Sequence, residues 1–218
     1  MTARSDVGRP AAPATIRIED ALGVCSVRED TRLLAEAASL GRAGRALEIG
    51  TGSGYVAIYL ALAGWDVDAV DVSPRALELA RRNAELNGVA PRIFRSSLFE
   101  TVSGTYDVIA CNPPMRPDET EGSRLVTATL RRVGVLANLL MRVTQPLVES
   151  KRLPFLMELA NSARLHLVPG GRLLLGISPV EEAELPGHVP GLVLQASLPV
   201  VSIPGMNITT FAFAEATR

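Results

Sequence analysis

Short apolar runs and amphipathic stretches alternate along most of the chain. The short segments at 45–49 and 66–72, in which most residues are apolar, predict two buried strands. The Ser73-Pro74 pair is typical of a helix start, and apolar residues recur at helical spacing from there to a stop at Gly88. Strands that alternate with helices in this way predict a parallel sheet covered by helices.

The alternation continues towards the C-terminal end. Thr31 is predicted to cap a first helix, which ends at Gly41 or Gly44. Further helices are predicted at 55–64, about 123–150 and 154–167, and further strands at 91–97, 106–111, 171–178, 192–201 and 207–216. The predicted fold class is α/β: a seven-stranded, mostly parallel sheet with helices on both faces and a C-terminal antiparallel strand pair.

Length and hydropathy set the expected domain organisation. The 218 residues suit one domain. We predict a flexible N-terminal lead-in over 1–26, a single domain over 27–218 and a substrate-lid insertion around 115–151. The N-terminus lacks the apolar core of a signal peptide, and no apolar run reaches the roughly 18 residues of a membrane span. We therefore expect a cytoplasmic protein without a membrane partner.

Charge and residue usage exclude several classes of function. The 22 basic and 23 acidic residues give a net charge of -1, so no overall positive field attracts nucleic acid. The two cysteines and two histidines lack the spacing of a metal site, and no metal is predicted. A hydrophobic fraction of 47% leaves apolar surface for a partner, which could be a second copy of the chain or a small partner subunit.

A glycine-rich turn, EIGTGSG, lies between the first strand and the next helix. Gly50, Gly52 and Gly54 let the backbone turn sharply and let a ligand approach the helix N-terminus. Asp71, at the end of the next strand, is placed to accept hydrogen bonds from ribose hydroxyls. A dinucleotide fingerprint would need a glycine in place of Tyr55, and the Gly-Lys-Ser/Thr of a phosphate loop does not follow. The pattern predicts a site for another adenosine-bearing ligand.

The fourth predicted strand ends on Asn112, Pro113 and Pro114. Because ligands of open α/β sheets bind at the carboxyl ends of the strands, Asn112 is expected in the same crevice as the glycine turn. The Asn112 side-chain oxygen and the Pro113 carbonyl are both acceptors, and the fixed φ of proline keeps its carbonyl aimed outward. An ordinary Asn-Pro turn that ends a strand is the alternative.

With Glu48 before the glycine turn and Asp71 beyond it, the chain resembles the class I S-adenosylmethionine-dependent methyltransferases. Within that class, Asn-Pro-Pro followed by an aromatic residue marks enzymes that act on planar nitrogens, such as glutamine amides and the exocyclic amines of adenine or guanine. The segments VREDTRLLAEAA and ALEIGTGSGYVAIYLA are most similar to those of the HemK-like glutamine N5-methyltransferases. The resemblance covers about 27–115 and resumes at 167–175.

This resemblance implies a Rossmann-like fold, S-adenosylmethionine as methyl donor and S-adenosylhomocysteine as product. It assigns catalysis to Asn112 and Pro113, which would hold the acceptor nitrogen within about 3–3.5 Å of the methyl group and in line with it. It implies that the cofactor, with Asp30 nearby, contacts Thr31, Glu48, Gly50, Gly52, Asp71, Ser97 and Asn112. The acceptor would contact Asn112, Pro113, Pro114, Met115, Asp118 and Glu119.

Three features depart from the family pattern. Met115 stands where an aromatic ring stacks on the flat target group, and Ser97 stands where an acid faces the adenine. Only about thirty residues precede the shared region, where bacterial release-factor enzymes carry an N-terminal helical domain. These departures favour a small-molecule metabolite as acceptor. The alternatives are a protein glutamine, as in the HemK-like release-factor enzymes, and a nucleic-acid amine, which the charge disfavours. A cofactor-binding protein without activity is a further class, against which the intact Asn-Pro-Pro argues.

Two interpretations apply to the acidic residues that follow Met115. Asp118 and Glu119 could attract a cationic amine and help to deprotonate it, or they could form a solvated acidic loop. An acidic rim repels phosphate under both interpretations, which again argues against a nucleic-acid partner.

Overall fold

The computed structural model describes residues 15–113 and 152–214, in which seven strands form one sheet. The strands are β1 (Arg45–Ile49), β2 (Asp66–Asp71), β3 (Arg92–Arg95), β4 (Tyr106–Cys111), β5 (Leu167–Ile177), β6 (Leu192–Pro199) and β7 (Asn207–Phe213). The helices are α1 (Glu29–Ala38), α2 (Tyr55–Leu62), α3 (Pro74–Leu86), α4 (152–166) and α5 (Pro179–His188).

The sheet is mixed, and its strand order is β3-β2-β1-β4-β5-β7-β6. The first five of these strands run parallel to one another, whereas β7 is antiparallel to β5 and β6 is antiparallel to β7. This arrangement confirms the predicted fold class, including the C-terminal antiparallel pair. The central strands β1 and β4 are mostly apolar and almost entirely buried, as expected for strands covered on both faces.

The core lies on both faces of the sheet. On one face, α1 and α2 pack through residues such as Leu34 and Leu60. On the other face, α4 and α5 pack through Leu156, Leu159 and Leu185. The ends of β1 and β4 therefore lie between two helical layers, and both the glycine turn and Asn112 follow those ends directly.

Helix ends show where local patterns identified an element and where they did not. Ser73 caps α3 as predicted, and its side chain accepts a hydrogen bond from the main chain of Ala76. The prediction that Thr31 caps α1 is wrong, because α1 begins at Glu29 and Thr31 lies within its first turn. The acids at positions 29 and 30 favour this earlier start through the positive end of the helix dipole.

Helix α5 was absent from the sequence-based prediction. Ser178 caps it, and the Ser178 and Glu181 side chains form the reciprocal hydrogen bonds of a capping box. Pro179 occupies the first turn, where proline is favoured. The signal was therefore present in the sequence. The helix was not predicted because Pro186 and Gly187 lie inside it, and both residues are typical of a break in a helix.

The segment around Arg17 and Glu19, which precedes α1, lies against α3. The main-chain N–H and C=O of Arg17 both form hydrogen bonds with the side-chain amide of Asn87. Those of Glu19 form the same pair of hydrogen bonds with the side-chain amide of Asn83. The predicted lead-in over 1–26 and the single domain over 27–218 stay predictions, and the substrate lid around 115–151 lies outside the described residues. Within 15–113 and 152–214, no helix is long and apolar enough to cross a membrane.

Candidate functional site

The strand order creates a crevice between β1 and β4. These strands are parallel neighbours, with Ile49 opposite Cys111, so that Gly50 and Asn112 follow at adjacent strand ends. From β1 the chain continues to α2 on one face, and the helix that precedes β5, α4, packs on the other face. Ligands of open α/β sheets bind at such a switch point, outside the carboxyl ends of the strands.

The glycine turn needs glycine for two different reasons. Gly50, Gly52 and Gly54 have φ angles of 74°, 53° and 82°, which side chains disfavour. A Cβ atom on Gly50 would meet nothing within 4 Å in the described part of the chain, which leaves the main chain there open to a ligand. A Cβ on Gly54 would lie 2.9 Å from the Cβ of Ala80, so this glycine instead permits close packing of the turn against α3.

Asp71 joins the end of β2 to the glycine turn. One carboxylate oxygen accepts a hydrogen bond from the main-chain nitrogen of Gly52 over 3.0 Å, and the other accepts from the main-chain nitrogen of Ser73 over 2.9 Å. Because each carboxylate oxygen has a second lone pair, Asp71 can still accept from a ligand. The side chain is half-buried at the crevice edge, which suits the predicted contact with ribose hydroxyls.

Glu48 lies beneath the same turn and is buried. One of its oxygens accepts from the Thr51 hydroxyl over 2.7 Å and from the main-chain nitrogen of Ala57 over 2.9 Å. Burial raises the pKa of the Glu48 carboxyl to about 8, although these two hydrogen bonds oppose the shift. Glu48 therefore fixes the conformation of the turn, in addition to any contact it makes with a ligand.

Two other predicted cofactor residues lie on elements next to those that form the crevice. Thr31 is half-buried in the first turn of α1, one residue after Asp30. Ser97 is exposed and lies two residues beyond the end of β3, on the strand that neighbours β2. The following residue, Leu98, has a φ angle of 46° and is the single non-glycine residue with positive φ in the part of the chain that the structure describes.

Asn112 contacts the first turn of α1. Its side-chain nitrogen donates to a carboxylate oxygen of Asp30 over 2.9 Å, and the same oxygen accepts from Arg28 over 3.0 Å. The Asn112 side-chain oxygen lies against Gly176 of β5, where an added Cβ would clash with it. Asn112 is half-buried, whereas Pro113 is buried. Pro114, Met115, Asp118 and Glu119 lie outside the described residues, so their predicted roles stay predictions.

The arrangement fits an adenosine-bearing cofactor. Space is open above Gly50, the Asp71 carboxylate keeps free lone pairs at the crevice edge, and Val24 lies over Gly52 as an apolar neighbour. Main-chain groups, an acid and apolar contacts are the components of such a site. No group of three potential metal ligands occurs within 15–113 and 152–214.

The sequence model that defines the methyltransferase small domain family matches residues 18–136 of this chain, which is more than half of its length. The chain belongs to this family. The sequence-based assignment to the S-adenosylmethionine-dependent methyltransferases is thereby confirmed, as is the cofactor class.

Curated relatives resemble part of this methyltransferase domain. The release factor glutamine methyltransferase of Deinococcus radiodurans is 36% identical over 141 residues, which cover 62% of this chain and 46% of the relative. The ribosomal RNA small subunit methyltransferase C of Alcanivorax borkumensis is 35% identical over 79 residues, which cover 36% of this chain and 24% of the relative. The matched region thus spans less than half the length of either relative.

A solved structure supports the fold of the domain over nearly its whole length. The ribosomal protein L11 methylase of Lactobacillus delbrueckii subsp. bulgaricus superimposes with a TM-score of 0.63 and 20% identity, over 91% of this chain and 84% of that one. At this identity the likeness concerns the fold alone. It agrees with the Rossmann-like architecture implied by the sequence.

The structure gives three residues of this site contacts that were not predicted from the sequence. Asp30 was expected near the cofactor, which stays a prediction, and its contact with Asn112 was not foreseen. Gly176 was placed in a strand, with no link to the crevice, and it makes room for the Asn112 oxygen. Asn83 is fully buried and binds the main chain of Ser53 in the glycine turn. An asparagine on the apolar face of α3 was the available signal for this last contact, since buried amides need partners.

Proposed function

We propose that the chain transfers a methyl group from S-adenosylmethionine to the side-chain amide nitrogen of a protein glutamine. The observation that carries this proposal is the position of Asn112, directly beside the glycine turn at the switch point of the sheet. The names of the relatives support the choice of a glutamine, since the longer of the two matches is with a release factor glutamine methyltransferase.

The residues at the crevice suit an amide acceptor because they accept hydrogen bonds. A primary amide nitrogen carries two N–H groups, and the Asn112 side-chain oxygen and the Pro113 carbonyl can accept one each. Held in this way, the nitrogen can approach a methyl group in line and at about 3–3.5 Å, which removes much of the entropic cost of the reaction. When bound, S-adenosylmethionine supplies that methyl group on a positively charged sulfur.

A small-molecule amine is the second candidate acceptor. It rests on Met115, which stands at the position where the HemK-like enzymes carry an aromatic ring that stacks on the flat target group. A thioether packs well against apolar groups but offers a flat amide a poorer surface. Under this second candidate, Asn112 and Pro113 keep the same roles towards an amino nitrogen.

Labelled methyl transfer tests the proposal directly. The protein is incubated with S-adenosylmethionine that carries a labelled methyl group and with a purified bacterial release factor, and the labelled residue is located by mass spectrometry. We expect label on a single glutamine, and none on an unrelated protein or with Asn112→Ala enzyme. Label that enters only the small-molecule fraction of a cell lysate would replace the protein acceptor with a metabolite. Label in ribosomal RNA would replace it with a nucleic acid.

A further inference from the structure

The side chain of Asn112 is held from two sides, and only one of its two polar ends is left for an acceptor. Its nitrogen donates to Asp30 over 2.9 Å, and its oxygen lies against Gly176. An asparagine amide can turn over and exchange these two ends at little cost unless its partners distinguish them. The partners of Asn112 do distinguish them, because a carboxylate accepts hydrogen bonds and cannot donate them.

Asp30 is buried, which is unfavourable for an acidic side chain. Its side chain is 1% exposed, and one of its two oxygens has no hydrogen-bond partner among the described residues. A buried polar atom without a partner costs about 1–3 kcal/mol of folding free energy. The Asp30 carboxylate is therefore unfavourable for stability compared with an apolar side chain of the same size. The first turn of α1 offsets part of the cost, since the helix dipole favours negative charge there.

Gly176 completes the arrangement from the side of β5. A Cβ at this position would clash with the Asn112 oxygen and would lie 2.9 Å from the terminal methyl of Met206. Any residue larger than glycine would therefore displace the Asn112 amide. The φ angle of Gly176 is not in the left-handed region, so space next to Asn112, and not backbone conformation, is what requires glycine there.

We propose that Asp30 is a positioning residue that orients the Asn112 amide so that its oxygen, and not its nitrogen, faces the methyl acceptor. This inference rests on the proposed function, in which that oxygen accepts an N–H bond from the acceptor nitrogen. If the amide were reversed, its own N–H groups would face those of the acceptor, and the nitrogen would lose one of its two anchors. Asp30 would thus determine the rate of methyl transfer without contacting the acceptor.

Asp30→Asn tests this role because the new side chain has the same size but can donate to Asn112. We expect kcat for a purified bacterial release factor to fall by about tenfold to a hundredfold, equivalent to about 1.4–2.7 kcal/mol. The affinity for S-adenosylhomocysteine should stay within about threefold of wild type. Glu29→Gln is the matched control, because it removes the neighbouring charge in the same turn, where Glu29 binds Ser202 and not Asn112. Its kcat should be close to that of wild type.

A double-mutant cycle separates action through Asn112 from an independent role. The cycle is measured on the urea midpoint of unfolding, because Asn112→Ala leaves no turnover to compare. Once Asn112→Ala has removed the amide, adding Asp30→Asn should change this midpoint by a different amount than it does in wild type. Equal changes in the two backgrounds would overturn the proposal, as would a wild-type kcat in Asp30→Asn. If Asp30→Asn does not fold, Gly176→Ala takes its place, since it displaces the same amide from the other side and should give the same loss of kcat with unchanged cofactor affinity.

A spectroscopic test keeps the inference separate from the identity of the acceptor. In protein labelled with ¹⁵N-asparagine, the side-chain signal of Asn112 is identified by its absence in Asn112→Ala. We expect this signal to shift in Asp30→Asn and to stay in place in Glu29→Gln. An unchanged signal in Asp30→Asn would refute the proposed contact. If wild-type enzyme leaves the release factor unlabelled while the signal shifts as expected, the proposed acceptor is wrong and the orientation of Asn112 still stands.

Discussion

The side-chain nitrogen of Asn83 donates a hydrogen bond to the main-chain oxygen of Ser53 over 2.9 Å and thereby fastens the glycine turn to α3. The same nitrogen donates to the main-chain oxygen of Glu19, whose main-chain nitrogen donates to the Asn83 side-chain oxygen. Asn83 is fully buried, so water cannot replace these partners. One amide thus connects the glycine turn, α3 and the segment that precedes α1.

Replacing this amide should destabilise both the fold and the cofactor site. Asn83→Ala is expected to lower the free energy of unfolding by about 2–4 kcal/mol, because the buried main-chain oxygen of Ser53 and the part-buried main-chain groups of Glu19 lose their partner. Binding of S-adenosylhomocysteine, measured by calorimetry, should weaken as well. Asn161→Ala is the control, since Asn161 is exposed and, among the described residues, donates only to Met157 within its own helix. Equal urea midpoints for the two variants would contradict the prediction.

Asp71 should control cofactor affinity through the turn as well as directly. Asp71→Asn turns an amide N–H₂ group towards one of the two main-chain donors, at Gly52 or Ser73, and removes the charge available to a ribose hydroxyl. We expect the affinity for S-adenosylhomocysteine to fall at least about tenfold, or about 1.4 kcal/mol. Asp66→Asn, at the exposed opposite end of β2, should leave it unchanged. Equal calorimetric titrations for the two variants would argue against this role.

Glu48 should make stability depend on pH in an unusual direction for an acid. Burial raises the pKa of its carboxyl from an ordinary value of 4.5 to about 8 in the folded protein, which therefore holds the proton more tightly than the unfolded chain does. The stabilising contribution is complete below pH 4.5 and is lost as the pH rises through about 8. Between these values, the free energy of unfolding of wild type relative to Glu48→Gln should fall by up to about 1.4 kcal/mol per pH unit.

Urea unfolding of both proteins at several pH values measures this difference. Glu85→Gln is a suitable control, because Glu85 is exposed on α3 and lies away from the turn. Its stability curve should run parallel to that of wild type. A parallel curve for Glu48→Gln would mean that the buried carboxyl does not hold its proton in the folded state.

Asn112→Ala should separate catalysis from cofactor binding. The variant removes one acceptor for the nitrogen that receives the methyl group, so we expect turnover to be abolished. The affinity for S-adenosylhomocysteine should stay within about threefold, a change of less than about 1 kcal/mol. Thermal unfolding checks that the loss is not a loss of fold, because Asp30 then lacks its amide partner. Full activity in this variant would remove the proposed mechanism.

Local patterns predicted most of the sheet because short apolar runs have few alternatives in a covered parallel strand. The runs in β1, β2 and β4 gave strands within one residue of their observed ends. β5 begins at Leu167, four residues before the predicted strand at 171–178, and Pro169 and Gly170 lie in an irregular part of it. There, pairing with β4 outweighs the local preference for a turn.

The sequence by itself determined which residues follow the strand ends: a glycine turn after β1, an acid at the end of β2 and Asn112 after β4. Strand periodicity and the rule that parallel strands share a ligand-binding edge are sufficient for that. Only the tertiary structure decided what holds these groups in place. Asp30 contacts Asn112 across 82 positions of sequence, and Asn83 contacts Ser53 across 30. Such hydrogen bonds depend on how helices pack on the sheet, and no local spacing specifies the side-chain partners that packing brings together.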